Sequence, residues 1–277
     1  MYGLNLNLHK TRDTSVSEKQ RVIRLEPGGA ADNGLEKMDL DPVDFQSELP
    51  EQYVHVYYED EGLGLSVGVW TTTTMQEAFG PYPGDEFMWV LEGQVSMVDG
   101  DGNETLVKPG ETFCIRNAIP ISWKQEGFLR KFYMTYADPS APTPQIDSVN
   151  GGVRVLRTDE LRAGMQKMET TEPLVIVGEK PVQHDNILFT NDAGSMFVGM
   201  WDSTALDSEM RPFPWHEMVQ LLEGEVTISE ADGSEHIFKA GDVFFIPMGT
   251  VCKWQTHGYV KKFYSILETT GSDSKAS

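Results

Sequence analysis

The chain repeats itself at a spacing of 131 residues, and this duplication constrains the fold more than any other feature. Between residues 68–136 and 199–267, 22 of the 69 aligned positions are identical, where chance would leave only a handful. The motifs LEG and KFY and two tryptophans recur in both copies. Because the period is much longer than a solenoid repeat, it predicts two copies of a whole domain.

Each copy consists of short apolar runs separated by turn residues. SVGVW, GETFCI and LRKFYMTY in the first copy, and MFVGMW, GDVFFI and VKKFYSIL in the second, are typical of strands. DGDGN and EADGS are typical of hairpin turns. A helical period appears only around residues 159–167. Many short strands at regular spacing predict an all-β fold made of two tandem jelly-roll β-barrels.

The domain boundaries follow from the repeat and from the stretch ADPSAPTPQIDSVNGG, which is rich in Pro, Ser and Gly and has no apolar period. We expect an N-terminal extension at 1–44, a first domain at 45–137, a linker with connecting strands at 138–174, a second domain at 175–268 and a tail at 269–277. The extension is long enough to reach the other domain or another subunit, and both alternatives stay open.

The formal net charge of −21 argues against partners that carry many negative charges. Nucleic acids and anionic membrane surfaces are bound through clustered Lys and Arg, so we expect neither as a partner. No stretch approaches the length of a membrane span, and the first residues lack the apolar core of a signal peptide. Cys114 and Cys252 are the only cysteines, and their apolar neighbours predict free buried thiols. We therefore expect a cytoplasmic protein.

The residues around each LEG motif resemble the conserved motifs of the cupin superfamily. Glu86 and Gly93 in the first copy, and Glu217 and Gly224 in the second, keep the Glu-to-Gly spacing of the first cupin motif. GDVFFIPMGTVC resembles the second motif, and GETFCIRNAIPI resembles it more loosely. The following tryptophan and the KFY strand are similar to the branch that includes ethanolamine-utilisation cupins. The resemblance implies two cupin barrels, and a homodimer formed through edge strands as a candidate assembly.

The resemblance also implies a metal site, because cupins usually hold iron, manganese, nickel or zinc with three His and one Glu. In the second copy Arg211, Phe213 and Cys252 stand at the three histidine positions, and Glu217 keeps the glutamate position. Glu217, Cys252 and the adjacent His216 are therefore a candidate site for a divalent transition metal in the second domain. The alternative is a histidine at a surface or interface and a small buried cysteine.

The first copy retains fewer of the implied ligands. Gly80, Tyr82 and Ile121 stand at its histidine positions, which leaves Glu86 alone. Since one carboxylate cannot hold a transition metal tightly, we expect the first domain to be metal-free.

Inward-facing residues of both copies predict an apolar pocket in each barrel. The candidate pocket residues are Tyr82, Glu86, Trp123 and Lys131 in the first copy, and Phe213, Trp254 and Lys262 in the second. Each lysine is a candidate ion-pair partner for the glutamate of its own barrel, which would explain why that glutamate persists without a metal. The alternative is a lysine on the surface.

Two functions remain open. The first is an enzyme acting on a small polar carboxylate or amino metabolite, with Glu217 as general base or metal ligand, Cys252 beside it, and Arg211 as the substrate anchor. A lyase, isomerase, hydrolase or oxygenase would fit the fold. The second is a non-catalytic, small-molecule-binding or regulatory bicupin. The concentration of polar candidates in the second copy favours the enzyme, and the deciding feature is whether Arg211, His216, Glu217 and Cys252 converge.

Overall fold

The computed structural model describes residues 20–30, 34–142, 144–145 and 152–269, and it confirms the predicted all-β jelly-roll class. The helices in these residues are α1 (Thr158–Ala163) and a 3-10 turn at Pro42–Asp44. The helical period predicted at 159–167 gives a shorter helix, because a strand begins at Gln166. In the described part of the chain, no helix is long and apolar enough to cross a bilayer.

The strands before the helix are β1 (Ile23–Arg24), β2 (Glu36–Lys37), β3 (Gln52–Asp60), β4 (Leu65–Thr72), β5 (Met75–Gln76), β6 (Gly80–Pro81), β7 (Asp85–Glu92), β8 (Val95–Val98), β9 (Glu104–Val107), β10 (Thr112–Ile115), β11 (Pro120–Gln125), β12 (Leu129–Tyr136) and β13 (Val153–Leu156). The strands after it are β14 (Gln166–Lys167), β15 (Gln183–Thr190), β16 (Met196–Ser203), β17 (Leu206–Asp207), β18 (Arg211–Pro212), β19 (His216–Glu223), β20 (Glu225–Glu230), β21 (Glu235–Lys239), β22 (Val243–Ile246), β23 (Val251–Thr256) and β24 (Val260–Leu267).

The described residues divide into two compact units, the first at 25–158 and the second at 20–24 and 159–269. The first unit has a seven-stranded sheet in the order β13-β10-β7-β12-β4-β3-β2 and a smaller sheet in the order β5-β11-β8-β9, with β6 beside β11. The second unit has the orders β1-β22-β19-β24-β16-β15-β14 and β17-β23-β20-β21, with β18 beside β23. The two orders coincide strand for strand, so the duplication in sequence is also a duplication in topology.

Both sheets of a unit contribute to its apolar core. In the second unit the core includes Phe244 from the larger sheet and Phe238 from the smaller one, whose rings stack with centroids 4.0 Å apart. Cys114 and Cys252 are buried free thiols, as predicted.

Glycine is required where the chain passes from the larger sheet to the smaller. Gly93 separates β7 from β8 with φ of +74°, and Gly224 separates β19 from β20 with φ of +85°. A Cβ atom at Gly93 would lie 2.1 Å from the carbonyl oxygen of Phe128, and one at Gly224 would lie 2.3 Å from that of Tyr259. Left-handed backbone and close approach of a second chain segment together explain why the Glu-Gly step occurs in both copies.

The edge strand of each larger sheet comes from an equivalent place in the repeat. In the second unit, Ile23 of β1 pairs with Phe245 of β22. In the first unit, Val153 of β13 pairs with Ile115 of β10. β1 precedes the first copy and β13 precedes the second, so each unit is completed by the segment that leads into the other copy. The N-terminal extension therefore supplies residues 20–24 to the second unit, and residues 1–19 lie outside the described part.

Hydrogen bonds to Glu230 hold the segment directly before the edge strand β1. Its buried carboxylate accepts hydrogen bonds from the Val22 backbone N–H and the Arg21 guanidinium, each at 3.0 Å, and lies 2.8 Å from Nε2 of His236. Burial alone would raise the pKa of Glu230, but these hydrogen bonds outweigh burial and lower it below the ordinary 4.5. A lowered pKa stabilises the folded state above pH 4.5, and this stabilisation is lost as the pH falls through the folded-state pKa.

We expect Glu230→Gln to lower the free energy of unfolding by about 1–3 kcal/mol at pH 7, because buried donors lose their ionised acceptor. Urea unfolding followed by circular dichroism measures the change. The control is Glu235→Gln, an exposed neighbour on β21, which should change stability by less than about 0.5 kcal/mol. The difference between Glu230→Gln and wild type should shrink below pH 4.5. A loss that matches the control, or that ignores pH, would contradict this role for Glu230.

Candidate functional site

The second unit contains a cavity of about 250 Å³ with largely aromatic walls. The aromatic lining consists of Trp201, Phe213, Trp215, Trp254, Tyr264 and Phe197. The polar lining consists of Thr171, Glu172, Gln183, Asp185, Glu217, Lys262 and Glu268. Aromatic walls with a few polar groups are typical of small-molecule sites.

A buried ion pair forms one side of this cavity. Lys262 on β24 and Glu217 on the neighbouring β19 are 8% and 1% exposed, and Lys262 Nζ lies 2.5 Å from Glu217 Oε1. The ammonium also faces the rings of Trp201 and Trp254, with Nζ 4.8 and 4.6 Å from their centroids. These distances are within the range of cation–π attraction. One carboxylate and two ring faces therefore compensate the lysine charge away from water.

Asp185 and Tyr264 form a second polar group in the same cavity. Tyr264 follows Lys262 by two positions on β24, so both side chains leave the same face of the strand. The tyrosine hydroxyl donates to Asp185 Oδ1 at 2.8 Å. Gly199 provides the space, because a Cβ atom there would lie 2.6 Å from the Tyr264 hydroxyl. Burial raises the pKa of the Asp185 carboxyl and also that of the Tyr264 hydroxyl.

The first unit has the same ion pair beside a smaller cavity of about 130 Å³. Lys131 Nζ lies 2.7 Å from Glu86 Oε1 and 5.1 and 4.6 Å from the ring centroids of Trp70 and Trp123. The Tyr82 hydroxyl donates to the other oxygen of Glu86. Both oxygens of this carboxylate are thus engaged by the protein.

Two further positions distinguish the first cavity from the second. Val54 stands where the second copy has Asp185, and the Tyr133 hydroxyl lies 3.4 Å from Ser66 Oγ instead of meeting a carboxylate. Glu77 also lines the first cavity, and burial raises its pKa to about 7. Neither Glu77 nor Asp185 is among the site residues predicted from the sequence. The repeat contains a signal for Asp185, because it aligns this carboxylate in the second copy with the apolar Val54 in the first.

The seven pocket residues named from the sequence all line these cavities: Tyr82, Glu86, Trp123 and Lys131 in the first unit, and Phe213, Trp254 and Lys262 in the second. Both candidate lysine–glutamate ion pairs are present. Arg211 lies elsewhere, exposed at the surface, with Nη2 2.7 Å from Glu209 Oε2.

His216 and Cys252 do not line the second cavity with Glu217. His216 is buried, its ring stacks on Phe245, and its Nδ1 accepts a hydrogen bond from the Met248 backbone at 3.3 Å. Adjacent residues on a strand point to opposite faces, which separates His216 from Glu217. Cys252 belongs to the apolar core, where burial raises the pKa of its thiol to about 12.

The residues around Glu217 do not fit the metal that the resemblance implies. Among the residues that the structure describes, no group of three or more His, Cys, Asp or Glu side chains is placed to hold a metal ion. The Lys262 ammonium lies against Glu217 and would repel a divalent cation. This arrangement differs from the expected site of Glu217, Cys252 and His216, because strand alternation and core packing direct the last two side chains elsewhere.

Comparisons with known proteins agree with the fold. Residues 190–264 match the family model of the EutQ-like cupin domain. A solved structure of a DUF861 family protein of unknown function from Pseudomonas syringae pv. tomato str. DC3000 is similar with a TM-score of 0.71 and 24% identity, covering 89% of this chain and 99% of that one. No curated protein matches the chain.

Two other solved structures are similar at lower identity. A cupin 2 conserved barrel domain protein from Leptotrichia buccalis has a TM-score of 0.51 and 11% identity, covering 80% of this chain and 91% of that one. A candidate dioxygenase from Nostoc punctiforme PCC 73102 has a TM-score of 0.52 and 11% identity, covering 93% of this chain and 83% of that one. These likenesses show a cupin fold, and the match to the EutQ-like cupin domain covers residues 190–264.

We expect Lys262→Met to lower the free energy of unfolding by about 3–5 kcal/mol, because it leaves Glu217 buried without a counter-charge. Adding Glu217→Gln should recover a large part of that loss, and the non-additivity is measured with a double-mutant cycle of urea unfolding experiments. The control is Lys253→Met, since Lys253 pairs with Asp207 at a more exposed position and its loss should cost no more than about 1 kcal/mol. Equal losses for the two lysines, or strict additivity in the cycle, would contradict a buried coupled pair.

We also expect the purified protein to retain far less than one transition metal ion per chain after incubation with Fe²⁺, Mn²⁺, Ni²⁺ or Zn²⁺ and desalting, because no ligand set surrounds Glu217 in the described residues. Elemental mass spectrometry measures the bound metal, and Glu217→Gln serves as the comparison. Near-stoichiometric metal in wild type that disappears in Glu217→Gln would show that the site rearranges to bind a metal.

Proposed function

We propose that this protein is a cytoplasmic bicupin that binds a small, partly apolar metabolite in its second barrel. The observation that carries the proposal is the aromatic-walled cavity of about 250 Å³ beside the Lys262–Glu217 pair. Such a cavity lets an apolar surface leave water while a few fixed polar groups orient the ligand. The cavity of the first barrel is smaller, about 130 Å³, which supports the second barrel as the binding domain.

Binding without a chemical step at Glu217 is favoured by the state of its carboxylate. Its Oε1 accepts from Lys262 at 2.5 Å, and its Oε2 accepts from Trp215 Nε1 at 3.3 Å. A general base must reach a substrate proton within hydrogen-bond distance, and both oxygens here already have donors. Arg211, the candidate substrate anchor, is paired with Glu209 at the surface.

A metal-free enzyme is the second candidate, and Asp185 is the observation that favours it. Burial raises the pKa of this carboxyl, which moves it toward the range where a carboxyl group serves as acid and base near neutral pH. The Tyr264 hydroxyl lies beside it as a hydrogen-bond donor. Proton transfer of this kind would fit an isomerase or a lyase.

Ligand binding in the second cavity is tested with a variant that blocks the entrance of the cavity. Ile187 lines the cavity and is 51% exposed, so Ile187→Trp should fill the entrance without disturbing the core. We expect small-molecule fragments that raise the melting temperature of wild type to have no effect on Ile187→Trp. Ile237→Trp is the matched control, because Ile237 is 49% exposed and does not line the cavity; it should respond like wild type.

Fragments that stabilise wild type and Ile187→Trp equally would show that they bind outside the cavity, and the proposal would fail. NMR spectra of each bound fragment after long incubation separate the two candidates. An unchanged fragment supports the binding protein, whereas a product that forms with wild type and is lost in Asp185→Asn supports the enzyme.

A further inference from the structure

Asp185 places a carboxylate in the wall of the second cavity at a position that is apolar in the first copy. The equivalent residue of the first copy is Val54, on the same strand of the duplicated sheet and in the wall of the equivalent cavity. Asp185 is half-buried, and its Oδ1 accepts the hydroxyl of Tyr264 at 2.8 Å. A tyrosine hydroxyl supplies one hydrogen bond and no positive charge, so it does not neutralise the ionised form of Asp185.

Among the described lining residues, Lys262 is the only one with a basic side chain, and it forms an ion pair with Glu217. Lys262 Nζ lies 2.5 Å from Glu217 Oε1 and faces two tryptophan rings, while no described ion pair joins it to Asp185. The one ammonium among the described lining residues therefore has Glu217, and not Asp185, as its ion-pair partner. The raised pKa of Asp185 reflects first its removal from water. A ligand that carries its own positive charge would relieve this cost.

The surroundings of Asp185 suit such a ligand. Asp185 pairs in register with Trp201, whose ring lines the cavity, so a cation placed at the carboxylate would also lie near an aromatic wall. The exposed Glu172 and Glu268 line the cavity as well and add negative charge toward solvent. A carboxylate ligand would meet repulsion from these groups, whereas an ammonium would be attracted.

We propose that the second cavity selects a metabolite with a primary ammonium group, which Asp185 binds while the apolar part of the ligand packs against the aromatic wall. This inference rests on the proposed function and names its ligand class. Tyr264 acts as a positioning residue, because its hydroxyl fixes the Asp185 carboxylate from the side of β24. The first cavity has Val54 at the equivalent place and carries its second carboxylate at Glu77 instead.

Three probes of similar shape test the charge preference: benzylamine, benzyl alcohol and benzoate. Isothermal titration calorimetry at pH 7 measures their affinities for the full-length protein. We expect benzylamine to bind wild type at least about tenfold more tightly than benzyl alcohol, a difference of about 1.4 kcal/mol, and benzoate to bind most weakly. Asp185→Asn should remove the preference for benzylamine and leave the affinity for benzyl alcohol nearly unchanged.

Two further variants separate a charge effect from a folding effect. Asp185→Val copies the residue of the first cavity and should lose the amine preference in the same way. Asp192→Asn makes the same charge change at an exposed position outside the cavity and should bind all three probes like wild type. Circular dichroism and melting temperature verify that each variant is folded.

The possible failures are distinguishable. If benzyl alcohol or benzoate binds wild type as tightly as benzylamine, or if Asp185→Asn keeps the amine preference, the ammonium inference is overturned and the binding function stands. If none of the three probes binds, the ammonium inference is overturned, and the fragment experiment with Ile187→Trp decides the binding function separately.

Discussion

A buried lysine–glutamate pair determines how the rest of each barrel is built. The buried ammonium of Lys262 is surrounded by the Glu217 carboxylate and the faces of Trp201 and Trp254, which offset its removal from water. The first unit meets the same need with equivalent residues at equivalent positions, so the aromatic positions and the pair form one conserved requirement of the duplicated fold. The cavity in each unit is the space that these rings and the pair leave open.

The two barrels use this shared arrangement differently. In the first, the Tyr82 hydroxyl engages the second oxygen of Glu86, which closes the polar end of a small cavity. In the second, Phe213 replaces that tyrosine, Trp215 Nε1 donates to the second oxygen of Glu217 instead, and the cavity is larger. The two copies therefore keep the same ion pair while the lining around it differs.

The sequence predicts the fold well and the site only in part. The repeat and the alternating apolar runs indicate the strands, because period-two patterns and glycine turns are local signals. The pocket walls and both ion pairs follow from aligning the two copies. The same alignment does not predict where the side chains of Arg211, His216 and Cys252 point. A motif position identifies the strand, but it does not fix the direction of a side chain near a strand as short as β18. Asp185 lies outside the two cupin motifs, and its place in the lining of the cavity gives it chemical meaning.

The edge strands β1 and β13, each supplied by the segment that leads into the other copy, affect when each larger sheet can form during synthesis. β1 is synthesised long before its partner β22, and β10 is synthesised before its partner β13. Neither larger sheet can be finished from its own copy alone, so the nascent chain holds open strand edges for longer than two independent barrels would. The duplicated halves are therefore not separable modules: a gene fragment cut at the repeat boundary would encode a barrel with an unprotected edge.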